Sequence, residues 1–320
     1  MYRFADLSAI WRANRELKMA KFLKNIASLS IACLVCASVV FAEGRGDGVR
    51  KIGDGVYSFT TGEGNHSMFV VGDDSVAVFE TFHTGHAAKL LEAVRSITDK
   101  PVKYAFISHN HWDHASGGKV LSDAGAKTVM HKLAADWLKA NPGRDTAPPD
   151  MTWSGDRKDI DMGGFTVSLH YLGLNHGMGL TIFTIPERRA AYIADLVTPN
   201  RVMFAVVPDF NIGQWERSLG EILKMDFDIA VCSHNELPPH EAMNGCTRTH
   251  VEQERQFIRD LRNAILAEFQ KGTGFMDIPK AVKLPQYSHW VGYKEWLEMN
   301  TLRLMTDLWM GPFPWIPNAK

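Results

Sequence analysis

The sequence predicts an α/β protein whose two β-sheets face each other with helices outside, a four-layer αββα sandwich followed by a helical C-terminal extension. Short strands separated by Gly- and Asp-rich turns occupy residues 49–80, and a second set of strands occupies residues 165–194. Each set is followed by segments with helical spacing of apolar residues, and helical patterns dominate after residue 241. Two β-rich halves with their own helices bury most apolar surface when the sheets pack together.

The first 42 residues predict a secretory signal peptide. An apolar segment at residues 26–40 is followed by small residues, and cleavage is expected after Ala42. The basic residues that precede this segment are Lys18, Lys21 and Lys24. A membrane anchor is the alternative, but the segment is short for a bilayer span. Met19 begins a more conventional signal than Met1, so residues 1–18 are either an upstream extension or a start-site error.

The predicted organisation is a signal peptide at 1–42, a catalytic domain at 43–240 and a helical extension at 241–320, in a periplasmic or secreted protein. The chain of 320 residues has a formal net charge of −1. Removing residues 1–42, which hold six Lys/Arg and two Asp/Glu, leaves 29 basic and 34 acidic residues and a net charge of −5. This balance argues against nucleic acid as a partner and against stable membrane association after cleavage. The expected partner is a small-molecule substrate.

Two cysteines remain in the predicted mature chain. Cys33 and Cys36 lie in the signal, which leaves Cys232 and Cys246. Two cysteines do not make a disulfide framework. Cys232 lies in an apolar strand, so we expect it to be buried as a small hydrophobic residue and not to bind metal.

Strands and helices are predicted to alternate through the first half of the mature chain. The predicted strands are 67–71, 75–79, 102–107 and 128–130, and the predicted helices are 86–97, 119–124 and 131–140. Residues 141–154 are rich in Pro, Gly and polar residues, which predicts a long loop. Long loops near a site often act as lids.

The second half begins with strands and ends with helices. The predicted strands are 165–172, 180–185, 190–194 and 229–232, and the predicted helices are 215–225, 241–270 and 290–310. The last helix carries Leu297, Leu304 and Leu308 on one face. This stripe is expected to pack on the core, and a homodimer contact is the alternative.

The run HNHWDH at residues 109–114 holds three histidines and one aspartate. It follows the predicted strand 102–107 and precedes a glycine-containing loop that opens a helix. Side chains at the carboxyl end of a strand project from a rigid edge into a cleft. Imidazoles and a carboxylate at this spacing are typical of metal ligands. The run therefore predicts the nucleus of a metal site.

Three further candidate ligands each follow an apolar strand. His176 lies in a glycine-flanked turn, Asp195 follows strand 190–194, and His234 follows strand 229–232. One such residue alone is more typical of a hydrogen-bonded loop position. Together with the run, and in this order, they favour a metal-binding function.

This ordered set resembles the metallo-β-lactamase superfamily, whose signature is H-x-H-x-D-H followed by a distant His, an Asp and a final His. The similarity covers roughly residues 49–240, and all seven ligand positions are filled. The resemblance implies the αββα metallo-β-lactamase fold. It also implies a first group of His109, His111 and His176 and a second group of Asp113, His114 and His234, with Asp195 bridging them.

The implied cofactor is a pair of zinc ions per chain. Neutral imidazoles and carboxylates suit zinc, and three protein ligands per ion leave a position for water. Iron or manganese is the alternative for a mixed N/O site. Two such ions about 3.5–4 Å apart can share a hydroxide of near-neutral pKa. Asp113 is the expected catalytic residue, since it would bind the second ion and orient the hydroxide.

Other residues near the motifs are candidates for supporting roles. Glu80 ends a strand where relatives usually carry Asp, which predicts altered hydrogen bonding behind the ligands. Arg201 is a candidate for binding a substrate carboxylate. The candidates for an apolar substrate wall, each of which could equally be core, are Trp112, Trp153, Met203, Phe204 and Phe210.

The residue type at position 195 helps to indicate which reaction the protein catalyses. Asp195 stands where the most familiar zinc β-lactamases carry Cys or Ser, and the ligand set resembles that of lactonases, thioesterases and related ester hydrolases. The resemblance therefore implies an exported dinuclear zinc hydrolase acting on an ester, a lactone or a similar small electrophile. The alternatives are a β-lactamase or hydrolytic dehalogenase on the same site, and an iron-dependent sulfur oxygenase of the same fold.

Overall fold

Two β-sheets form the centre of the part of the chain that this computed structural model describes, residues 48–143 and 145–312. The seven-stranded sheet follows chain order from β1 to β7, and the five-stranded sheet has the order β12-β11-β10-β9-β8. The strands are β1 Gly48–Gly53, β2 Val56–Thr60, β3 His66–Val71, β4 Val76–Phe79, β5 Val102–Phe106, β6 Lys127–His131, β7 Met151–Trp153, β8 Arg157–Asp161, β9 Thr166–Tyr171, β10 Thr181–Ile185, β11 Ala190–Ala194 and β12 Ile229–Cys232. The predicted signal peptide at 1–42 lies outside the described residues.

Parallel pairing brings several strand ends to one edge of each sheet. In the first sheet β1 to β4 pair antiparallel, whereas β4 to β7 are parallel. In the second sheet β11 and β12 are parallel, and the other described pairs are antiparallel. Ends of parallel strands lie side by side, so the loops after β4 and β5, and those after β11 and β12, are neighbours.

Helices lie outside the two sheets and at the ends of their strands. The α-helices of the described residues are α1 Thr84–Ile97, α2 Trp112–Ala115, α3 Gly118–Asp123, α4 Lys132–Ala140, α5 Ile212–Ile222, α6 Pro239–Ala242, α7 Arg248–Lys271, α8 Ile278–Ala281 and α9 Tyr293–Met310. Along β3, Met68 and Val70 join the core between the sheets, while Phe69 belongs to a second buried cluster that includes Leu90 of α1. This alternation confirms the predicted αββα sandwich and its helical C-terminal extension.

The single helix predicted at 241–270 is wrong, because the chain breaks between α6 and α7. Gly245 has φ 85°, and a Cβ there would lie 2.0 Å from the Ala230 carbonyl oxygen. The Cys246 amide donates to that same oxygen at 2.8 Å. The turn is therefore attached to β12 and only glycine fits it.

The long loop predicted at 141–154 also contains a strand. β7 adds to the parallel edge of the first sheet and buries Trp153. The prediction missed it because the surrounding residues are polar and rich in proline. β8 was missed for a related reason: only Ile160 of this edge strand is buried, so its sequence has no apolar alternation.

Cys232 is fully buried, as expected, and it forms a disulfide with Cys246. This pairing does not follow from the sequence, because a separation of 14 residues says nothing about distance in space. The bridge joins the end of β12 to the residue that follows the Gly245 turn.

The apolar stripe of α9 is divided between the core and solvent. Leu297 and Leu304 are 4% and 2% exposed, whereas Leu308 is 40% exposed. The first two therefore pack on the core as predicted, and the homodimer contact stays a prediction. Among the described residues, every helix is too short or too polar to serve as a membrane span.

Candidate metal centre

The HNHWDH run lies where β5 ends and helix α2 begins. The chain leaving β5 carries His109 and His111, and His111 is the N-cap residue of α2 with extended backbone. The first turn of α2 carries Asp113 and His114. The strand therefore positions two of the histidines, while the helix positions the aspartate and the third histidine.

The other candidate ligands approach from the second sheet. His176 lies after β9, Asp195 directly after β11, and His234 two residues after β12. A Cβ at Gly177 would stand 3.0 Å from His111 Nε2. Glycine therefore lets the His176 turn approach the run closely.

The first group contains His109, His111 and His176, with Asp195 beside them. His109 Nε2 lies 2.9 Å from His111 Nδ1, and His176 Nε2 lies 3.2 Å from Asp195 Oδ2. One candidate ligand atom from each of the four residues lies within 4.8 Å of the others.

The second group contains Asp113, His114 and His234. His114 Nε2 lies 3.4 Å from Asp113 Oδ2 and 3.3 Å from His234 Nε2. Asp195 Oδ2 lies 3.3 Å from His114 Nε2 and 3.5 Å from His234 Nε2. The same carboxylate oxygen therefore contacts both groups, which is the position that the family resemblance implies for a bridging ligand.

The residues present fit a divalent cation. Asp195 Oδ1 is buried without a hydrogen-bond partner. Buried polar atoms rarely lack a partner, so such an atom calls for a physical explanation. Converging imidazole nitrogens and carboxylate oxygens are the donors that zinc and related divalent ions take in proteins.

Two histidines of the first group, His109 and His176, favour the neutral form that binds metal. Burial lowers the pKa of His109 well below its usual value and also lowers the pKa of His176. In the second group, burial lowers the pKa of His234 to about 4. An unprotonated imidazole offers a nitrogen lone pair at neutral pH.

His114 differs from the other histidines. Burial opposes its charge, but the carboxylates of Asp195, Asp113 and Glu80 together raise its pKa well above the usual value. Burial likewise opposes the charge of Asp195, and His114 and His234 hold its pKa well below the usual range. A concentration of carboxylates around one histidine is the charge pattern expected of a cation site.

Comparison with known families decides the fold family. The family model described as the metallo-beta-lactamase superfamily matches residues 60–234, just over half of the chain. The chain belongs to the metallo-beta-lactamase superfamily. This confirms the resemblance that the ordered ligand set predicts.

One curated relative of this superfamily member is the 2,4-dinitroanisole O-demethylase subunit alpha of Nocardioides sp. (strain JS1661). The two are 29% identical over 188 residues, which is 58% of this chain and 55% of the relative. The chain therefore spans about half the length of that relative.

Solved structures share the fold. The sec-alkylsulfatase Pisa1 from Pseudomonas sp. aligns with a TM-score of 0.64 at 15% identity, over 83% of this chain and 50% of that one. A metallo-beta-lactamase from Pontibacter korlensis aligns with a TM-score of 0.54 at 18% identity, over 66% of this chain and 98% of that one. These similarities confirm the metallo-beta-lactamase fold.

Glu80 supports both ligand groups from behind. Its Oε2 accepts a hydrogen bond from Ser108 Oγ and lies 3.1 Å from His114 Nδ1. Ser108 Oγ in turn lies 2.7 Å from His109 Nδ1. The predicted difference in hydrogen bonding lies at Glu80. Its carboxylate contacts His114 directly and is linked to His109 through Ser108. Such partners fix the orientation of ligand histidines.

Asp209 is a site residue that the sequence did not reveal. Its Oδ2 accepts a hydrogen bond from His111 Nε2 at 2.9 Å, which leaves His111 Nδ1 facing the first group. Burial opposes the charge of Asp209, but the bond to His111 lowers its pKa. No spacing relative to the ligands marks this residue, so only the structure identifies it.

A cavity of about 490 Å³ lies over both ligand groups. Its apolar lining comes from Trp112, Trp137, Phe204, Pro208 and Phe210. Three of the predicted wall residues therefore line this cavity, and their contact with a substrate stays a prediction. Trp153 and Met203 follow the other alternative that the sequence leaves open, because both are buried in the core between the sheets.

Arg201 also lines the cavity. Its Nη1 lies 3.6 Å from Glu236 Oε1, and its Nη2 donates to Thr198 Oγ1 at 3.3 Å. The guanidinium carbon lies 5.8 Å from the centre of the Phe204 ring. The cavity therefore combines an aromatic wall with one cationic side chain among its described lining residues.

Proposed function

We propose that this protein is an exported, dinuclear metal-dependent hydrolase that cleaves an ester, a lactone or a similar small electrophile. One observation carries the proposal: two groups of ligand side chains share Asp195 Oδ2 at the floor of a largely apolar cavity. Metal-binding side chains at the bottom of a cavity suit the cleavage of a polar bond in a substrate. The apolar side chains around them suit a small organic molecule.

Zinc is the metal that the proposal favours. His109, His111 and His176 would hold one ion and Asp113, His114 and His234 the other, with Asp195 contacting both. Iron or manganese would also accept this N/O donor set. Bound here, such a pair of ions supplies Lewis acidity and lowers the pKa of water to near neutrality.

The chain's own residues position the attacking water and the substrate. Asp113 has a side chain that is 66% exposed and lines the cavity. Burial opposes its charge, but His114 keeps its pKa well below the usual range, so the carboxylate can accept a hydrogen bond from the water. Phe204 and Phe210 exclude bulk solvent around the substrate.

The described lining residues include neither serine nor cysteine. Direct attack by water therefore accounts for the chemistry better than a covalent acyl-enzyme does. The contact of Asp195 with the second group argues against the iron-dependent oxygenase, because a single iron would leave that group without a role.

Aryl ether cleavage is a second candidate. The relative with 29% identity is named as a 2,4-dinitroanisole O-demethylase subunit. The aromatic cavity walls also suit an aryl substrate. Cleavage of a β-lactam or of an aryl halide would use the same ligand groups. The substrate panel below tests these two reactions together with ester, lactone and aryl ether cleavage.

Export is supported by the disulfide. Cys232 and Cys246 are bonded, and structural disulfides persist mainly in oxidising compartments. This agrees with the signal peptide that the sequence predicts.

The test is turnover by metal-replete mature protein, with zinc, iron and manganese content measured in parallel. The panel contains phenyl acetate, a γ-lactone, nitrocefin, 2,4-dinitroanisole and an aryl halide. We expect metal-dependent turnover of the ester and the lactone with two zinc ions per chain. Turnover of only nitrocefin, of only the ether or of only the halide would replace the ester assignment, and one iron without zinc would favour the oxygenase.

A further inference from the structure

One wall of the cavity is formed by a segment with strained backbone. The cavity segment, residues 200–211, supplies five of the twelve residues that line the cavity. Three of its non-glycine residues have positive φ: Asn200 at 60°, Ala205 at 47° and Val207 at 39°. Such conformations persist only where the surrounding structure holds them.

The C-terminal extension supplies a group that holds this segment. Asn300 of α9 is fully buried, and its Nδ2 donates to the carbonyl oxygens of Met203 at 3.0 Å and Ala205 at 2.7 Å. These two residues flank Phe204, whose ring lines the cavity. One side-chain amide therefore fixes the main chain on both sides of a wall residue.

Neighbouring contacts from the extension act on the same half of the segment. The ring of Phe204 meets that of Trp296 edge to face, with 4.9 Å between centroids. The Val202 amide donates to the Val291 carbonyl at 3.2 Å, and the Val291 amide donates to the Asn200 carbonyl at 2.8 Å. Residues 200–205 thus rest on residues 291–300.

The other half of the segment contacts the ligand groups instead. Asp209 accepts a hydrogen bond from His111, and the ring of Phe210 lies 3.8 Å from that of His176. The segment is therefore attached at one end to the extension and at the other to the candidate ligands. A change at Asn300 acts directly on the first end alone.

We propose that the C-terminal extension determines substrate specificity, with Asn300 as the positioning residue that fixes Phe204. The substrate class it selects is an electrophile with a flat aryl group, which lies against Phe204 while the reacting carbonyl faces the ligand groups. The kinetic part of this inference rests on the proposed hydrolase function, and its structural part does not.

The test replaces Asn300 by leucine, which removes both donors at similar volume. Amide hydrogen exchange at residues 200–207 should accelerate about fivefold to tenfold, the effect expected when a buried hydrogen bond is lost. KM for 2-naphthyl acetate should rise by a similar factor, KM for methyl acetate should stay within about twofold, and bound metal per chain should not change.

Thr301→Val is the matched control. Thr301 is also fully buried on α9, but its Oγ1 donates to the Leu297 carbonyl of the same helix at 2.7 Å. This variant loses a buried hydrogen bond without touching the cavity segment. Neither the exchange rate at 200–207 nor the ratio of the two KM values should change.

If Asn300→Leu does not fold, Trp296→Leu tests the support of Phe204 by the extension through a different contact, the ring pair, and Trp296 is only half-buried. This variant should raise KM for 2-naphthyl acetate selectively. Unchanged exchange at 200–207 in Asn300→Leu, or an unchanged KM ratio in both variants, would overturn the proposal.

If the wild-type protein hydrolysed neither 2-naphthyl acetate nor methyl acetate, the proposed function would be contradicted. The structural part of the inference could still be tested by ligand binding. The Kd of 2-naphthol, measured from the change in its fluorescence on binding, should then rise about fivefold in Asn300→Leu and in Trp296→Leu. A Kd that does not change would overturn the inference independently of catalysis.

Discussion

The cavity has a floor, which is formed by the two groups of candidate ligands, and a wall, which is formed by the cavity segment at residues 200–211. The two are built in different ways. The floor consists of side chains that follow strands from both sheets, and Glu80 and Ser108 hold them from behind. The wall at residues 200–211 contains no strand and depends on α9 for its conformation. Rigid strand ends suit a reaction that requires fixed geometry, whereas a supported loop can vary with the substrate.

Substitutions in the floor should have the largest effect. We expect His111→Ala and Asp113→Ala each to lower kcat/KM by at least about a thousandfold, because each removes a ligand that the reaction needs. Circular dichroism should show a folded protein, since both side chains are partly exposed. His83→Ala, a change at an exposed histidine paired with Glu63, is the control and should retain activity. Undiminished turnover in both ligand variants would contradict this division between floor and wall.

Asp209 lies in the cavity segment that forms the wall, but its side chain accepts a hydrogen bond from His111, a candidate ligand in the floor. Asp209→Asn keeps the shape and removes the charge opposite His111, so metal affinity should fall about 10–100-fold. Competition with a chromophoric chelator measures this affinity. Asn300→Leu serves as the comparison, because it acts on the same segment and should leave the affinity unchanged. Equal losses in the two variants would show that the segment acts as one unit.

Glu254 of α7 tests how the extension is attached to the domain. Burial raises the pKa of this carboxyl from 4.5 to about 8, and the Thr198 amide lies 3.4 Å from its Oε2. Between these two pH values the unfolded chain has lost the proton while the folded chain keeps it. The free energy of unfolding should therefore fall by about 1.4 kcal/mol per pH unit as pH rises through this window.

Glu254→Gln should remove this pH dependence. Urea unfolding of wild type and variant at pH 5, 7 and 9 measures it, and the stability of the variant relative to wild type should increase with pH. Parallel curves at all three pH values would show that Glu254 is ionised in the folded protein.

The smallest effect is expected at Trp112, on the other side of the cavity. This side chain is 37% exposed, and its Nε1 donates to the Asn141 carbonyl at 3.2 Å. Trp112→Leu should raise KM for aryl esters about threefold with little change in kcat, since a partly exposed aromatic contact is worth about 0.6 kcal/mol. A fall in kcat of the same size would place Trp112 among the residues that contact the reacting group.

The sequence predicted the floor far better than the wall. His109, His111 and His234 are marked by residue type, spacing and position after a strand, so local patterns suffice to find them. Asp209 has no such mark, because its role depends on a contact across 98 residues of chain. Trp153 could be assigned to the core or to the wall only once the strand pairing was known.

The errors in secondary structure have the same origin. β8 is an edge strand with one buried residue, and the break between α6 and α7 depends on the Gly245 turn meeting the Ala230 carbonyl. Both are tertiary effects that periodicity does not report.

The Cys232–Cys246 bridge has a consequence for how the protein matures. The covalent ring it closes encloses residues 233–245, and His234 is among them. In a reducing cytoplasm that ring would stay open, so one candidate ligand would be held by noncovalent contacts alone. We expect oxidation to precede stable metal loading, and recombinant chain produced under reducing conditions to acquire less metal than chain recovered from an oxidising compartment.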